Sequence, residues 1–153
     1  MKPHTFKIYP FRKSKAVFDK TTWWRVLLFD SKEEMKSATV DQKCDVCGHV
    51  FISTKNHAGL THSHGFRQRV DEFGQVVKAK PEGELGIIFI QKENDGSGVV
   101  SHELFHATMY TVMRYTTIIN FDAGNFSQAD EKMAHINGDL NNSYWVHVLK
   151  FKI

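Results

Sequence analysis

The five residues 102–106, which read His-Glu-Leu-Phe-His, constrain the fold of this chain more than any other segment. Two histidines four residues apart lie on one face of an α-helix, with about 5–6 Å between their Cβ atoms. Both imidazoles can therefore bind one metal ion. Glu103 lies beside that face, where its carboxylate can act on a water molecule instead of binding the metal. The pattern predicts a helix that carries two metal ligands, His102 and His106, and a general base.

The residues around this motif have the periodicity of an amphipathic helix. Ser97 suits the N-cap position, and we expect the helix to span about residues 98–114. At about 100° per residue, one side of the helix is apolar and carries Leu104, Phe105, Thr108 and Val112. The opposite side carries His102, His106, Tyr110 and Met113. We expect the first side to pack on a core and the second to face a site.

The rest of the chain alternates between strand and helix patterns. Aromatic and aliphatic runs predict strands at 6–11, 23–29 and 86–90. An N-cap at Asp30 or Ser31 predicts a short helix to about Thr39, and a capping-box-like start predicts a final helix over 128–148. No repeat or linker divides the 153 residues, so we expect one domain over 1–153. The expected class is α+β, with a small mixed β-sheet packed against the HELFH helix and a C-terminal helix.

A catalytic zinc ion takes three protein ligands, so the motif needs one more. Glu131 is the first choice, because it shares a helical stripe with Ala134 and Gly138. Small residues there would let the last helix approach the HELFH helix. His135, one turn further on, is the alternative ligand.

The order of a strand, a glycine-containing turn, the HELFHA helix and a second helix with Glu-x-x-Ala resembles the zincin metallopeptidases of the gluzincin type. The resemblance covers about residues 83–140, and the small size resembles zincin-like domains of phage and mobile-element genomes. It implies zinc bound by His102, His106 and Glu131, with Glu103 as general base and a protein or peptide as substrate. The chain departs from the family pattern at His135, where an aspartate is usual.

The chemistry implied is hydrolysis of a peptide bond by water that the metal activates. Glu103 would accept the proton of that water and deliver it to the leaving amine. A further side chain would stabilise the oxyanion. The sequence offers four candidates for that donor, Tyr110, His135, Tyr144 and His147.

A second set of metal-ligating residue types lies near the middle of the chain. Cys44 and Cys47 form a C-x-x-C-G knuckle, which is a frequent zinc-binding turn. A structural zinc ion would use both cysteines with His57 and either His62 or His64. Alternatively the cysteines are reduced thiols in a loop, and a strand over 61–64 turns both of its histidines towards the HELFH helix. A redox dithiol is disfavoured, because no thioredoxin-like pattern surrounds the pair.

Composition excludes some classes of function and leaves others open. The net charge of +3 and the lack of a long basic block give no clear nucleic-acid partner. The first residues lack the apolar run of a signal peptide, and no segment is long and apolar enough to span a bilayer. We therefore expect a cytoplasmic protein that is not a membrane protein.

Two functions compete with hydrolysis. One is a zinc-stabilised module that binds nucleic acid or protein, with Trp23, Trp24, Arg67 and Arg69 at its surface. The other is a zincin fold that binds a partner without hydrolysing it. The intact Glu103 argues against the second.

Overall fold

The computed structural model describes residues 2–14, 17–52, 58–64, 72–75, 83–92, 97–114 and 126–152. Within these ranges the chain forms six strands and three helices. The strands are β1 (His4–Ile8), β2 (Arg12–Ser14), β3 (Val17–Phe18), β4 (Thr22–Phe29), β5 (Gly59–Ser63) and β6 (Gly83–Gln91). The helices are α1 (Lys32–Thr39), α2 (Ser97–Arg114) and α3 (Phe126–Lys152).

Four of the described strands form a mixed sheet in the order β1-β4-β6-β5. The central strands β4 and β6 run parallel, and the two outer strands pair antiparallel to them. Strands β2 and β3 form a separate antiparallel pair. The predicted α+β class with a small mixed sheet is confirmed.

The central strand β6 is buried without interruption from Leu85 to Gln91, because both faces of the sheet are covered there. On one face α2 and α3 pack over a core that includes Trp24, Ile88, Leu104 and Leu140. The other face is covered by α1 and by the loop at 40–52, which contribute a smaller apolar cluster around Met35, Phe51 and Phe89. The sheet is therefore a middle layer with a different cover on each side.

The helices agree closely with the sequence patterns. α1 has Ser31 as its N-cap, with the Ser31 hydroxyl accepting a hydrogen bond from the backbone N–H of Glu34. α2 covers the predicted 98–114, and α3 extends beyond the predicted 128–148 at both ends. Among the described residues, no helix combines the length and apolar character required to cross a bilayer.

One residue of α2 is placed differently from the prediction. Phe105, expected on the buried side, is 54% exposed. The buried stripe is centred instead on Val100, Leu104, Ala107 and Thr111. On this stripe the Thr111 hydroxyl accepts a 3.0 Å hydrogen bond from the indole of Trp24 inside the core. The prediction was wrong because Phe105 lies at the margin of the apolar arc.

Candidate functional site

Two cysteines and two histidines converge between the loop at 40–52 and strand β5. We call Cys44, Cys47, His62 and His64 the tetrad. The potential ligand atoms of the four side chains all lie within 4.8 Å of one another. Cys44 Sγ is 3.4 Å from His64 Nδ1, and Cys47 Sγ is 3.1 Å from His62 Nε2. A tetrahedral zinc ion would separate sulfur and nitrogen ligands by roughly 3.5 Å, so the tetrad has the ligand types and the spacing to hold one.

The knuckle turn that presents the cysteines is held by its own backbone. The N–H of Cys44 donates to the carbonyl of His49 at 2.8 Å, and the N–H of Gly48 donates to the carbonyl of Cys44 at 3.0 Å. Gly48 has φ +75°, a left-handed conformation that glycine adopts without steric cost. The backbone N–H of Val46 points at the Cys44 sulfur at 3.4 Å. The C-x-x-C-G sequence therefore folds into a turn that aims both sulfurs at one point.

The two histidines reach that point because they are two residues apart on an extended chain. Side chains at this spacing lie on the same face of a strand, and β5 ends at Ser63, just before His64. The rings of Phe51 and His62 pack nearly perpendicular to each other at a centroid distance of 4.9 Å. The sequence pattern placed one of these histidines in the site beside His57; the structure brings in both, and His57 lies outside the described residues.

The two thiols of the tetrad differ in acidity. Burial raises the pKa of the Cys44 thiol. For Cys47 burial acts in the same direction, but hydrogen bonds from the His49 backbone and from the imidazoles of His62 and His64 outweigh it and lower the pKa to about 5. Cys47 is therefore a thiolate at neutral pH, the form that binds metals.

The carboxylate of Glu84 and the guanidinium of Arg25 lie next to the tetrad and support it through hydrogen bonds. His64 Nε2 lies 3.0 Å from Glu84 Oε2, and Glu84 also accepts a 2.7 Å hydrogen bond from Arg25 Nε. Arg25 reaches Asp45 in the knuckle at 2.9 Å. Burial opposes ionisation of both His64 and Glu84. Their mutual attraction is stronger and raises the pKa of His64, and together with Arg25 it lowers the pKa of Glu84. No sequence pattern pointed to Arg25 or Glu84.

The HELFH motif lies on α2, on the opposite side of β5 from the tetrad. His102 Nε2 and His106 Nε2 are 3.1 Å apart, and both rings are exposed. Two imidazoles on one tetrahedral zinc ion would have their nitrogens roughly 3.3 Å apart, so this pair fits a shared metal. The Glu103 carboxylate is buried, with Oε1 4.0 Å from His102 Nε2. We call His102, Glu103 and His106 the HELFH site.

Strand β5 holds the Glu103 side chain in place. The hydroxyl of Thr61 donates to Glu103 Oε2 at 2.6 Å and also contacts the backbone carbonyl of Glu103 at 3.1 Å. Gly59 lies so close that a Cβ atom there would be 2.7 Å from Glu103 Cγ. Thr61 was not identified from the sequence. It directly precedes His62, and adjacent residues of a strand point to opposite faces, so the alternation already places it on the face opposite to the two histidines.

An open cleft of about 1000 Å³ lies over the HELFH site. Its walls are β5, one side of α2 from Gly98 to Tyr110, and the residues His49, Val50 and Ile52 that follow the knuckle. His62 belongs to the tetrad and also lines the cleft. The expectation that β5 turns both histidines towards the HELFH helix was wrong, because Thr61 is the residue that faces α2 and the histidines face the cysteines. Among the four candidate oxyanion donors, Tyr110 lines the cleft. Tyr144 is buried in the core.

No third ligand completes a group with the HELFH histidines among the described residues. Glu131 is exposed on α3, where its carboxylate lies 3.4 Å from His135 Nε2. In the part of the chain that the structure describes, the tetrad is the only group of three or more potential ligands within 4.8 Å. The stripe predicted for close helix approach is wrong, because Ala134 and Gly138 are exposed and α3 packs through Ile136 and Leu140 instead. The choice of Glu131 or His135 stays a prediction.

Comparison of the chain with protein-family models, curated proteins and solved structures finds no match.

Proposed function

We propose that the protein is a zinc-dependent hydrolase of the zincin type that cleaves peptide bonds at the HELFH site and carries a separate structural zinc ion at the tetrad. The observation that carries this proposal is the position of Glu103. Its buried carboxylate lies 4.0 Å from His102 Nε2, beside two imidazoles whose nitrogens are 3.1 Å apart, on the wall of an open cleft. A carboxylate next to a pair of metal-ligating imidazoles is the arrangement that metal-assisted hydrolysis requires.

Each residue of the site has a role in this proposal. A zinc ion held by His102 and His106 would act as a Lewis acid towards water and the scissile carbonyl. Glu103 accepts the proton of the attacking water and passes it to the leaving amine. Tyr110, which is the one of the four candidate donors that lines the cleft, supplies a hydrogen bond to the developing oxyanion.

The cleft favours an extended peptide over a compact substrate. Among the described residues β5 pairs with β6 and with no other strand, which leaves its second edge facing the cleft. An extended chain can bind such an edge through backbone hydrogen bonds. The exposed side chains of Val50 and Ile52 at the cleft wall add apolar contacts for its side chains.

The tetrad has a structural role in this proposal. Its four ligands leave no position for water or substrate, which is the usual arrangement of structural zinc. The metal would link the knuckle at 44–48 to the edge strand β5, and its binding free energy would add to that of folding.

A second candidate function is binding of a protein partner without hydrolysis. It is favoured by the contrast between the complete tetrad and the HELFH site, for which the described residues supply two ligands. A nucleic-acid partner is less well supported, because Trp24 is buried in the core and Lys7 covers the ring of Trp23 at 4.0 Å. Trp24 therefore cannot stack on a base, and one face of the Trp23 ring is already occupied. Arg67 and Arg69 lie outside the described residues.

Metal content and hydrolysis together test the proposal. Zinc should be measured by mass spectrometry in wild type, His106→Ala and Cys44→Ala, each purified without added metal. We expect two zinc ions in wild type and one in each variant. Zinc lost with Cys44→Ala alone would leave the binding module as the better account.

Hydrolysis of a mixed peptide library then separates an enzyme from a binding protein. Glu103→Gln should abolish cleavage while both zinc ions remain bound, and Glu33→Gln on the exposed side of α1 should cleave like wild type. Cleavage that persists in Glu103→Gln would remove the proposed general base.

A further inference from the structure

Strand β5 makes contacts to the two sites from its two faces. On one face His62 Nε2 is 3.1 Å from Cys47 Sγ in the tetrad. On the other face Thr61, the preceding residue, donates its 2.6 Å hydrogen bond to the Glu103 carboxylate. Adjacent residues of a strand point to opposite faces, so one short strand lies between the tetrad and the HELFH site. The position of this strand is therefore common to both sites.

The sheet alone holds β5 only in part. The strand has five residues and, within the described chain, pairs with β6 on one side. Short edge strands have a low cost of local opening, since one row of hydrogen bonds secures them. The loop at 40–52 adds a second attachment through the tetrad and through Phe51, which packs on His62.

The contact between β5 and Glu103 is tight enough to transmit a small displacement. The backbone of Gly59 is so near that a Cβ atom at this position would lie 2.7 Å from Glu103 Cγ and 3.0 Å from Oε1. Thr61 contacts both the carboxylate and the backbone carbonyl of Glu103. A shift of β5 by a few tenths of an ångström thus changes the position of the carboxylate.

We propose that metal binding at the tetrad fixes β5 and thereby, through Thr61, fixes the Glu103 carboxylate, so that the metal state of the tetrad controls the HELFH site. The role of Glu103 as a general base rests on the function proposed above. Thr61 is in this account a positioning residue, because it acts on the reacting groups only through Glu103. The tetrad zinc is then a control element of the cleft in addition to a structural ligand.

The coupling can be measured without any assay of hydrolysis. In His106→Ala protein stripped with chelator, zinc that is added back can bind only at the tetrad. Two readouts follow the titration: amide hydrogen exchange of residues 59–63, and carbodiimide labelling of Glu103 detected by mass spectrometry. We expect zinc to slow exchange in β5 and to reduce labelling of Glu103 at the same zinc concentration. Unchanged labelling of Glu103 across the titration would overturn the proposal.

A second variant tests whether Thr61 carries the effect. Thr61→Val in the same background removes the hydroxyl at nearly constant volume, and zinc should still slow exchange in β5 but no longer reduce labelling of Glu103. Thr61→Ser, which keeps the hydroxyl, should behave like the His106→Ala parent. Thr5→Val, at an exposed position of the opposite edge strand β1, is the matched control. Labelling in Thr61→Val that still follows zinc would exclude Thr61 as the link.

Peptide cleavage measured in protein that retains both His102 and His106 completes the test. Thr61→Val should lower kcat by about 10- to 100-fold, the effect of losing one hydrogen bond to a charged group, with a smaller change in KM. Thr61→Ser should retain most of the wild-type kcat. If wild type cleaves no peptide while exchange and labelling respond to zinc as expected, the proposed function fails and the coupling stands. If wild type cleaves peptides but labelling ignores zinc, the coupling fails and the proposed function stands.

Discussion

The two ring nitrogens of His64 are engaged on opposite sides: Nε2 lies 3.0 Å from the carboxylate of Glu84, and Nδ1 lies 3.4 Å from the sulfur of Cys44. A hydrogen bond from Nε2–H to Glu84 selects the tautomer whose Nδ1 lone pair faces the tetrad. Arg25 holds the same carboxylate at 2.7 Å and also reaches Asp45 next to Cys44. The supporting charges thus orient one ligand and attach the knuckle to the sheet.

Replacement of Glu84 should weaken zinc binding at the tetrad. Glu84→Gln keeps the size of the side chain but removes the negative charge that orients His64 and pairs with Arg25. Loss of such a partner typically lowers metal affinity by about 10- to 100-fold. Competition with a chromophoric chelator would measure it, with the exposed Glu33→Gln on α1 as control. Equal affinities in the two variants would mean that Glu84 does not support His64.

A methyl group at Gly86 should destabilise the sheet. A Cβ atom there would overlap the backbone oxygen of His62 in β5 and the ring of Trp24 in the core. Neither neighbour can move freely, so Gly86→Ala should lower the free energy of unfolding by about 1–3 kcal/mol. Urea unfolding would measure the change. Gly98→Ala in α2, where a Cβ meets nothing within 4 Å, should leave stability unchanged or raise it by up to about 1 kcal/mol. A similar loss in both variants would contradict the steric explanation.

Much of the fold follows from local sequence patterns. The period of the HELFH segment predicted α2, and a cap at Asp30 or Ser31 predicted the start of α1. The apolar runs at 23–29 and 86–90 predicted the two central strands. Each of these signals depends on residues within one element, and the structure confirms the elements. The order of strands in the sheet depends on pairing between distant segments, and single-sequence periodicity carries no information about it.

The candidate metal site was likewise predictable only where its residues are close together in the sequence. The C-x-x-C-G spacing identified Cys44 and Cys47, since both belong to one turn. The supporting residues Arg25 and Glu84 lie on different strands and meet only because β4 and β6 pair in parallel. The position of the last helix was misjudged for a related reason. Small residues at Ala134 and Gly138 permit a close helix contact, but the larger apolar stripe through Ile136 and Leu140 decided which face is buried.

The stability of the protein should fall in mild acid because of His147. Its ring stacks on Phe6 at a centroid distance of 3.9 Å. Burial, followed by the nearby His4 and Lys150, lowers the pKa of His147 from its usual 6.5. As the pH falls through that value the unfolded chain binds a proton before the folded one. The stabilising contribution is therefore present above about pH 6.5 and is lost as the pH falls towards the lower pKa of the folded state.

Replacement of His147 by phenylalanine should remove this pH dependence. His147→Phe keeps a ring against Phe6 but cannot be protonated, so it should lose less stability than wild type between about pH 7.5 and about pH 5.5. Urea unfolding at both pH values, with zinc in excess, would measure the difference. Asn142→Gln, at an exposed position of the same helix, is the control and should follow wild type. An identical pH dependence of wild type and His147→Phe would contradict the assignment.

Glu131 remains the predicted third ligand of the HELFH site, and its replacement should abolish zinc binding at that site. Helix α3 packs against α2 in the described structure, and the hydroxyl of Thr108 bonds to Asn137 at 3.1 Å. Two imidazoles without a third ligand bind zinc weakly, because a catalytic site uses three. Glu131→Gln should therefore reduce the zinc content to that of His106→Ala, while the tetrad zinc remains.

The alternative ligand gives the matched comparison for this experiment. Glu131 and His135 form a 3.4 Å pair on the exposed side of α3, so each variant also removes the partner of the other. His135→Asn should retain full zinc if Glu131 is the ligand, and should lose one ion if His135 is. Full zinc in both variants would assign the third position to a residue outside this pair, and would contradict the ligand set that the resemblance to gluzincins implies.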